Sequence, residues 1–151
     1  MTGPLDRLPE RLVTALAGGS PALLLTVGAD GLPASAFTWA VALDDRTVRF
    51  AADHGTSTLA NLERERRAAL QVIAGGGLVF LVKGVAEELK RRIEASPFPM
   101  ALWQLRIRSA KDQSWPGVVV RPLEYEWSAD RRAHMLAMER AVLDEMKTAS
   151  A

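Results

Sequence analysis

The sequence has no cysteine, which excludes disulfide bonds, thiol nucleophiles and cysteine-ligated zinc. Histidine occurs only twice, at His54 and His134, and these positions lack the spacing of a metal site. The 19 basic and 18 acidic residues leave a net charge of +1, which gives no field to attract nucleic acid or an anionic membrane. No apolar run approaches the roughly 20 residues that span a bilayer. We therefore expect no metal, nucleic-acid or membrane partner.

Several catalytic and targeting motifs are absent as well. The chain contains no phosphate-binding G-x-x-x-x-G-K-[ST] loop, no G-x-G-x-x-G after a strand, and no G-x-S-x-G nucleophile elbow. Its first 11 residues lack the basic and apolar regions of a secretion signal, so we expect a cytoplasmic protein. With 151 residues, 48% of them hydrophobic, and no repeat or linker, we expect one domain over residues 1–151.

Hydrophobic periodicity predicts a chain dominated by short strands. Helical spacing predicts an N-terminal helix, a short helix after the third strand, and a C-terminal helix that Ser128 caps and that buries Met135, Met138, Val142 and Met146. A helical turn followed by a loop is expected at 91–100. Strands are predicted at 22–27, 34–43, 47–52, 68–74, 78–89, 102–109 and 117–127. Their short connections favour antiparallel pairing and a closed barrel without exposed edges.

The second predicted strand has one large face and one small face. The large face consists of Phe37, Trp39, Val41 and Leu43, and these residues alternate with the alanines and Thr38 of the small face. We expect Phe37 to point into the core, and the small face to admit a close neighbour. That neighbour is either a packed helix or a planar ligand.

Residues 50–62 hold a candidate anion site. A strand and a glycine turn lead to Thr56, Ser57 and Thr58 at the start of a helix, where the first amides lack intrahelical partners. Free amides, hydroxyl groups and the positive end of the helix dipole favour an anion. The alternative is that Thr56 only caps its own helix.

The pattern F-x-x-x-x-G-[ST]-x-[KT]-x-x-N-L at 50–62, together with the order of strands around it, resembles the FMN-binding split barrels of the pyridoxamine 5'-phosphate oxidase superfamily. The resemblance runs from about Pro21 to Trp127. It implies a mostly β (α+β) fold, a six- to seven-stranded antiparallel split barrel with N- and C-terminal helices.

The resemblance also implies a homodimer that binds FMN at the subunit interface and acts on a small-molecule substrate. The cofactor-binding positions fall into three groups. The phosphate would lie at Thr56, Ser57 and Thr58, with Asn61 in the same motif. The ring would lie near the second and third strands, at Phe37, Thr38, Trp39, Ala51 and Ala52. A polar loop from the partner subunit would contribute Gln113, Ser114 and Trp115. The alternative is an ordinary polar loop with a packed tryptophan.

The chain departs from the family pattern where the family carries cations. Ala36 and Val41 stand where an arginine and a lysine are expected, Thr58 replaces a lysine, and Val79 replaces a glutamine. We therefore do not expect oxidation of pyridoxamine phosphate. Arg49, Arg66 or Arg67 are the nearby cations that could replace the missing ones.

Two functions follow from the resemblance. The first is an FMN-dependent oxidoreductase in which the cofactor carries the redox chemistry. The second is a non-catalytic binding or stress-response module on the same fold. In that case the site is degenerate, or holds a deazaflavin, haem or nothing.

Overall fold

The structure is a computed structural model that describes residues 3–151, so Met1 and Thr2 lie outside it. Three helices and six strands follow in the order α1 (Glu10–Leu16), β1 (Ser20–Val27), β2 (Pro33–Ala42), β3 (Thr47–Asp53), α2 (Ser57–Glu65), β4 (Arg67–Ala74), β5 (Leu78–Lys90), β6 (Met100–Asp112) and α3 (Arg132–Thr148).

The six strands form a closed antiparallel barrel in the order β1-β2-β3-β6-β5-β4, and pairing of β1 with β4 completes it. Closure leaves no strand edge unpaired along the barrel wall. The fold class predicted from the sequence is confirmed, including the helices at both termini and the short helix after the third strand.

The small residues of β2 line the barrel interior. Ala40 and Ala42 are buried in the same core as Phe50 and Phe80. Leucines of α1 and α2 complete this core from the two ends of the barrel. A six-stranded barrel has a narrow interior, so large side chains at some positions require small ones opposite.

The predicted orientation of β2 is therefore wrong. Ala36 pairs with Leu24, which is buried in the core, whereas Phe37 pairs with Leu23 on the outer face. Paired residues of an antiparallel ladder lie on the same face of the sheet. Phe37 is 70% exposed, and Ala36 points inward. Alternation showed which side chains share a face, but not which face the barrel encloses.

Residues 117–127, predicted as a closing strand, form an irregular segment outside the barrel. Gly117 has φ 74°, and Pro116 and Pro122 flank the apolar run. The segment is held by isolated backbone bonds, among them Leu123 N to Ile73 O at 2.9 Å. Because β1 and β4 already close the barrel, no edge remains for a further strand.

The C-terminal helix also begins later than predicted. The α3 helix starts at Arg132, and Ser128 contributes only its backbone oxygen, which accepts from Arg131 N at 3.0 Å. The predicted apolar stripe is confirmed, since Met135, Met138, Val142 and Met146 are all buried. The stripe packs on the outer face of the sheet, where it forms one buried cluster with the strand residues Val41, Ala51 and Leu102. The residues between β5 and β6 form turns without a helix.

Candidate functional site

Strands β2 and β3 separate at one end of the barrel and leave an opening, which we call the β2–β3 cleft. Their regular pairing ends at Ala40 and Phe50. Beyond it, the Thr38 hydroxyl donates to Ala51 O at 2.8 Å and accepts from Ala51 N at 3.0 Å. A side chain thus replaces the backbone ladder and holds the strands apart. The cleft has a cavity volume of about 230 Å³ and is lined by Pro21, Phe37, Thr38, Trp39, Ala51, Asp53, Met100, Tyr125 and Trp127.

Aromatic side chains form the walls of the cleft. Trp39 Nε1 donates a hydrogen bond to the Tyr125 hydroxyl. Tyr125 in turn meets Trp127 edge-on, with ring centroids 5.6 Å apart and planes at 84°. Phe37 stands at the mouth. Such walls suit a planar ring, because aromatic groups gain both buried area and favourable ring contacts.

The charge of the cleft is negative. Among the described residues that line it, Asp53 is the only charged one, and no lysine or arginine lines it. Glu139 lies behind the aromatic wall, where burial raises the pKa of its carboxyl group. Glu139 Oε1 and Trp127 Nε1 are buried and have no partner among residues 3–151. The cleft therefore offers an anion little stabilisation.

The start of α2 is more fully occupied by its own contacts than the sequence suggested. The Thr56 hydroxyl donates to Asp53 O at 2.6 Å and accepts from Leu59 N at 3.3 Å, so Thr56 does cap its helix. Thr58 is buried, while Ser57 is exposed. A phosphate site here remains a prediction that would depend on Ser57 and the free amides of the first turn.

Asn61 is a buried structural residue. Its Nδ2 donates to Thr26 Oγ1 at 3.1 Å, and its Oδ1 accepts from Arg64 at 2.9 Å. Both ends of the amide are therefore engaged within the protein. Because Asn61 is only 3% exposed, it also offers a ligand little surface.

Arg49 does not supply the missing phosphate-binding cation. Its guanidinium is buried and donates to Met146 O at 2.8 Å and to Ala149 O at 2.6 Å, which ties down the end of α3. Arg66 has φ 55° and terminates α2, and Arg67 opens β4. Since both follow the C-terminal end of α2, the structure brings neither of them to the helix start.

The predicted partner loop lies away from the cleft of its own chain. Gln113 Oε1 accepts from Gln71 at 3.0 Å, Ser114 bonds to Asp112, and Trp115 is 75% exposed. Their contact with a cofactor on a second subunit stays a prediction. Ala52 points into the barrel core, so of the predicted ring-binding residues only Phe37, Thr38, Trp39 and Ala51 line the cleft.

Sequence reasoning did not identify five of the residues that line the cleft: Pro21, Asp53, Met100, Tyr125 and Trp127. Tyr125 is the only tyrosine of the chain, and Trp127 follows it at i+2. Two large aromatic residues this close together were the available signal for a cleft wall. We did not recognise it, because 117–127 was assigned to a strand of the barrel.

Comparison with known proteins identifies the fold family. The family of pyridoxamine 5'-phosphate oxidase matches residues 8–141, which include the whole barrel and the β2–β3 cleft. The chain belongs to the pyridoxamine 5'-phosphate oxidase family. This membership confirms the resemblance that the sequence motif carried. No curated protein matches the chain.

Solved structures agree on the oxidase-family fold. An F420 reductase aligns with a TM-score of 0.60 at 18% identity, covering 70% of this chain and all of its own. HupZ of Group A Streptococcus aligns with a TM-score of 0.58 at 16% identity, covering 76% of this chain and 99% of HupZ. A Lactobacillus delbrueckii protein described as a candidate pyridoxamine 5'-phosphate oxidase aligns with a TM-score of 0.58 at 21% identity. The alignment covers 73% of this chain and 99% of the Lactobacillus chain. At these identities the likeness shows the fold alone.

The residues of this family member fit one part of FMN better than the other. The aromatic walls and the small floor at Thr38 and Ala51 suit the planar ring. The phosphate would meet the Asp53 carboxylate near the start of α2, and within the described part of the chain no cation lines the cleft to balance it. Each absent charge-assisted contact forfeits about 1.5–3 kcal/mol.

Proposed function

We propose that this protein binds a planar flavin-type cofactor, FMN in the first instance, in the β2–β3 cleft and acts as an oxidoreductase on a small molecule. The aromatic cleft itself, opened by Thr38 between two strands, is the observation that carries the proposal. A bound flavin would supply the electron transfer. Phe37 and Trp39 would orient its ring, and Asp53 would accept a hydrogen bond from a donor group of the substrate.

The cofactor would lie between two copies of the chain. The mouth of the cleft is bordered by Phe37, and Trp115 and Val119 also expose most of their surface. Exposed apolar groups of this size favour a protein–protein contact. A second copy would cover the open side of the cleft and bring Gln113 to Trp115 toward the ring.

Titration with FMN and with riboflavin tests the proposal. Flavin fluorescence should be quenched on binding, because tryptophans line the cleft. Since no cation of residues 3–151 lines the cleft, the two dissociation constants should agree within about tenfold, which corresponds to 1.4 kcal/mol. Tight binding of FMN with no detectable binding of riboflavin would show that the phosphate dominates, and would contradict this placement.

A matched pair of variants locates the ring. Phe37→Ala should weaken flavin binding by about tenfold or more, as aromatic contacts and buried area are lost. Leu32→Ala is the control, because Leu32 is similarly exposed at 63% but does not line the cleft. Equal affinities of the two variants would refute the assignment.

A non-catalytic binding module is the second candidate. The Trp39–Tyr125 hydrogen bond links two walls of the cleft, and the family's phosphate-binding cations are missing. The F420 reductase among the structural neighbours supports testing a deazaflavin beside FMN. A protein that binds a flavin but cannot be reoxidised or reduced by any small-molecule partner would favour the module.

A further inference from the structure

A second concave surface lies on the outside of the barrel, away from the β2–β3 cleft. We call it the basic groove. It has a volume of about 680 Å³, within the usual range for ligand sites, and three cations line it: Arg67, Lys83 and Arg108. Its apolar surface comes from Leu25, Val27, Pro33 and Val85. On β2, Pro33 is four residues from Phe37, so about 13 Å separates the groove from the cleft mouth.

The strand register brings the first two cations together. Ala69 of β4 pairs with Lys83 of β5, and Arg67 pairs with Val85. Arg67 and Lys83 are therefore diagonal neighbours on one face, a separation that long side chains bridge readily.

A bulge in β6 adds the third cation. Lys83 pairs with Ser109, yet the next residue, Gly84, pairs with Ile107, so Arg108 is the extra residue. Bulges re-aim side chains and concentrate at functional positions. A Cβ on Gly84 would lie only 2.1 Å from Arg106 O, so this close approach of β5 and β6 requires glycine.

The cations of the groove are incompletely balanced. Arg67 has an ion pair with Glu65 at 2.8 Å. Lys83 and Arg108 have no carboxylate within 4 Å among the described residues, and no acidic residue in that part of the chain lines the groove. Two such positive charges lining one groove favour a divalent anion, and a phosphate monoester carries about −1.5 to −2 at pH 7. Arginine also matches phosphate oxygens in a bidentate geometry.

We propose that the basic groove binds the phosphate group of a small phosphomonoester whose apolar or ring portion lies on Leu25, Val27 and Pro33. This site is separate from the β2–β3 cleft, and it does not depend on flavin binding there. The lysine and two arginines hold the phosphate, and the apolar side chains cover the rest of the ligand.

Adenosine 5'-monophosphate is a suitable probe, and adenosine, which lacks the phosphate, is its uncharged control. Binding is measured by the chemical-shift changes of backbone amides in two-dimensional NMR. The nucleotide should shift amides around Lys83 and Arg108, and adenosine should bind at least tenfold more weakly. Binding should weaken from pH 7.5 to pH 5, since the second phosphate pKa is about 6 and protonation removes part of the negative charge of the ligand. Equal binding of the two probes, or no pH dependence, would overturn the proposal.

Charge-removing variants locate the phosphate. Lys83→Gln and Arg108→Gln should each weaken binding of the nucleotide by about tenfold, while Lys111→Gln, an exposed lysine of β6 outside the groove, should change it less than twofold. An equal effect of all three would show unspecific attraction and refute the site. If Lys83→Gln or Arg108→Gln instead lowers the molar mass in light scattering, the groove is a contact between copies, which also refutes it. Failure of flavin binding in Phe37→Ala leaves these results unchanged, so the two proposals fail separately.

Discussion

Replacing Ala36 by arginine tests which face of β2 points into the barrel. Ala36 pairs with Leu24, a core residue, and sits near the barrel end that α2 covers. An arginine there overpacks the interior, at about 1–3 kcal/mol, and brings a charge toward apolar surroundings, which adds several kcal/mol if no water reaches it. Because Ala36 is only partly buried, the guanidinium can turn toward the end of the barrel. We expect a net loss of about 3 kcal/mol.

The neighbouring substitution Phe37→Arg is the matched control. Phe37 is largely exposed in the single subunit, so an arginine there should change the free energy of unfolding of that subunit by less than about 0.5 kcal/mol. Urea unfolding of both variants measures the contrast, since a 3 kcal/mol loss moves the midpoint by about 1–3 M at ordinary slopes. A stable Ala36→Arg beside a destabilised Phe37→Arg would show that β2 has the opposite orientation and would refute the geometry of the cleft.

Three further predictions concern residues that hold the fold around the two sites. Arg49→Met removes two charge-assisted bonds to the end of α3 and should lower the free energy of unfolding in urea by about 3 kcal/mol. Arg106→Met changes an exposed side chain and should lower it by less than about 1 kcal/mol. Equal losses would contradict the stabilising role of the bonds from Arg49 to α3. Glu139→Gln should stabilise the protein at pH 7: burial raises the folded-state pKa of Glu139 above its unfolded value, so its charged form is disfavoured in the fold. The gain should shrink as the pH falls to 4, where the unfolded carboxyl also becomes protonated, and a gain independent of pH would exclude this cause. Gly84→Ala should cost about 2 kcal/mol or more because its Cβ meets a backbone oxygen, while Gly75→Ala, with open space around it, should be nearly neutral; a neutral Gly84→Ala would contradict the close approach.

Local sequence patterns predicted most of the fold. Hydrophobic periodicity located all six barrel strands, and helical spacing located the stripe that α3 buries. These signals depend on neighbours along the chain, which is why they could be read from one sequence. The family motif at 50–62 also placed α2 correctly after β3.

The remaining features depend on contacts between distant residues. Period-two alternation groups Phe37 with Trp39, but only barrel closure determines that this face is outside. Tyr125 reaches Trp39 across 86 positions of sequence, and Arg49 reaches Ala149 across 100. No local pattern encodes such pairs, so half of the cleft wall and the structural role of Arg49 emerged only from the fold.

A crystal structure grown with FMN tests the central proposal most directly. We expect the planar ring to lie in the β2–β3 cleft against Phe37 and Trp39, with Thr38 and Ala51 beneath it and a second copy of the chain covering the mouth. A ring bound elsewhere on the barrel, or a cleft that FMN leaves unchanged at saturating concentration, would contradict it.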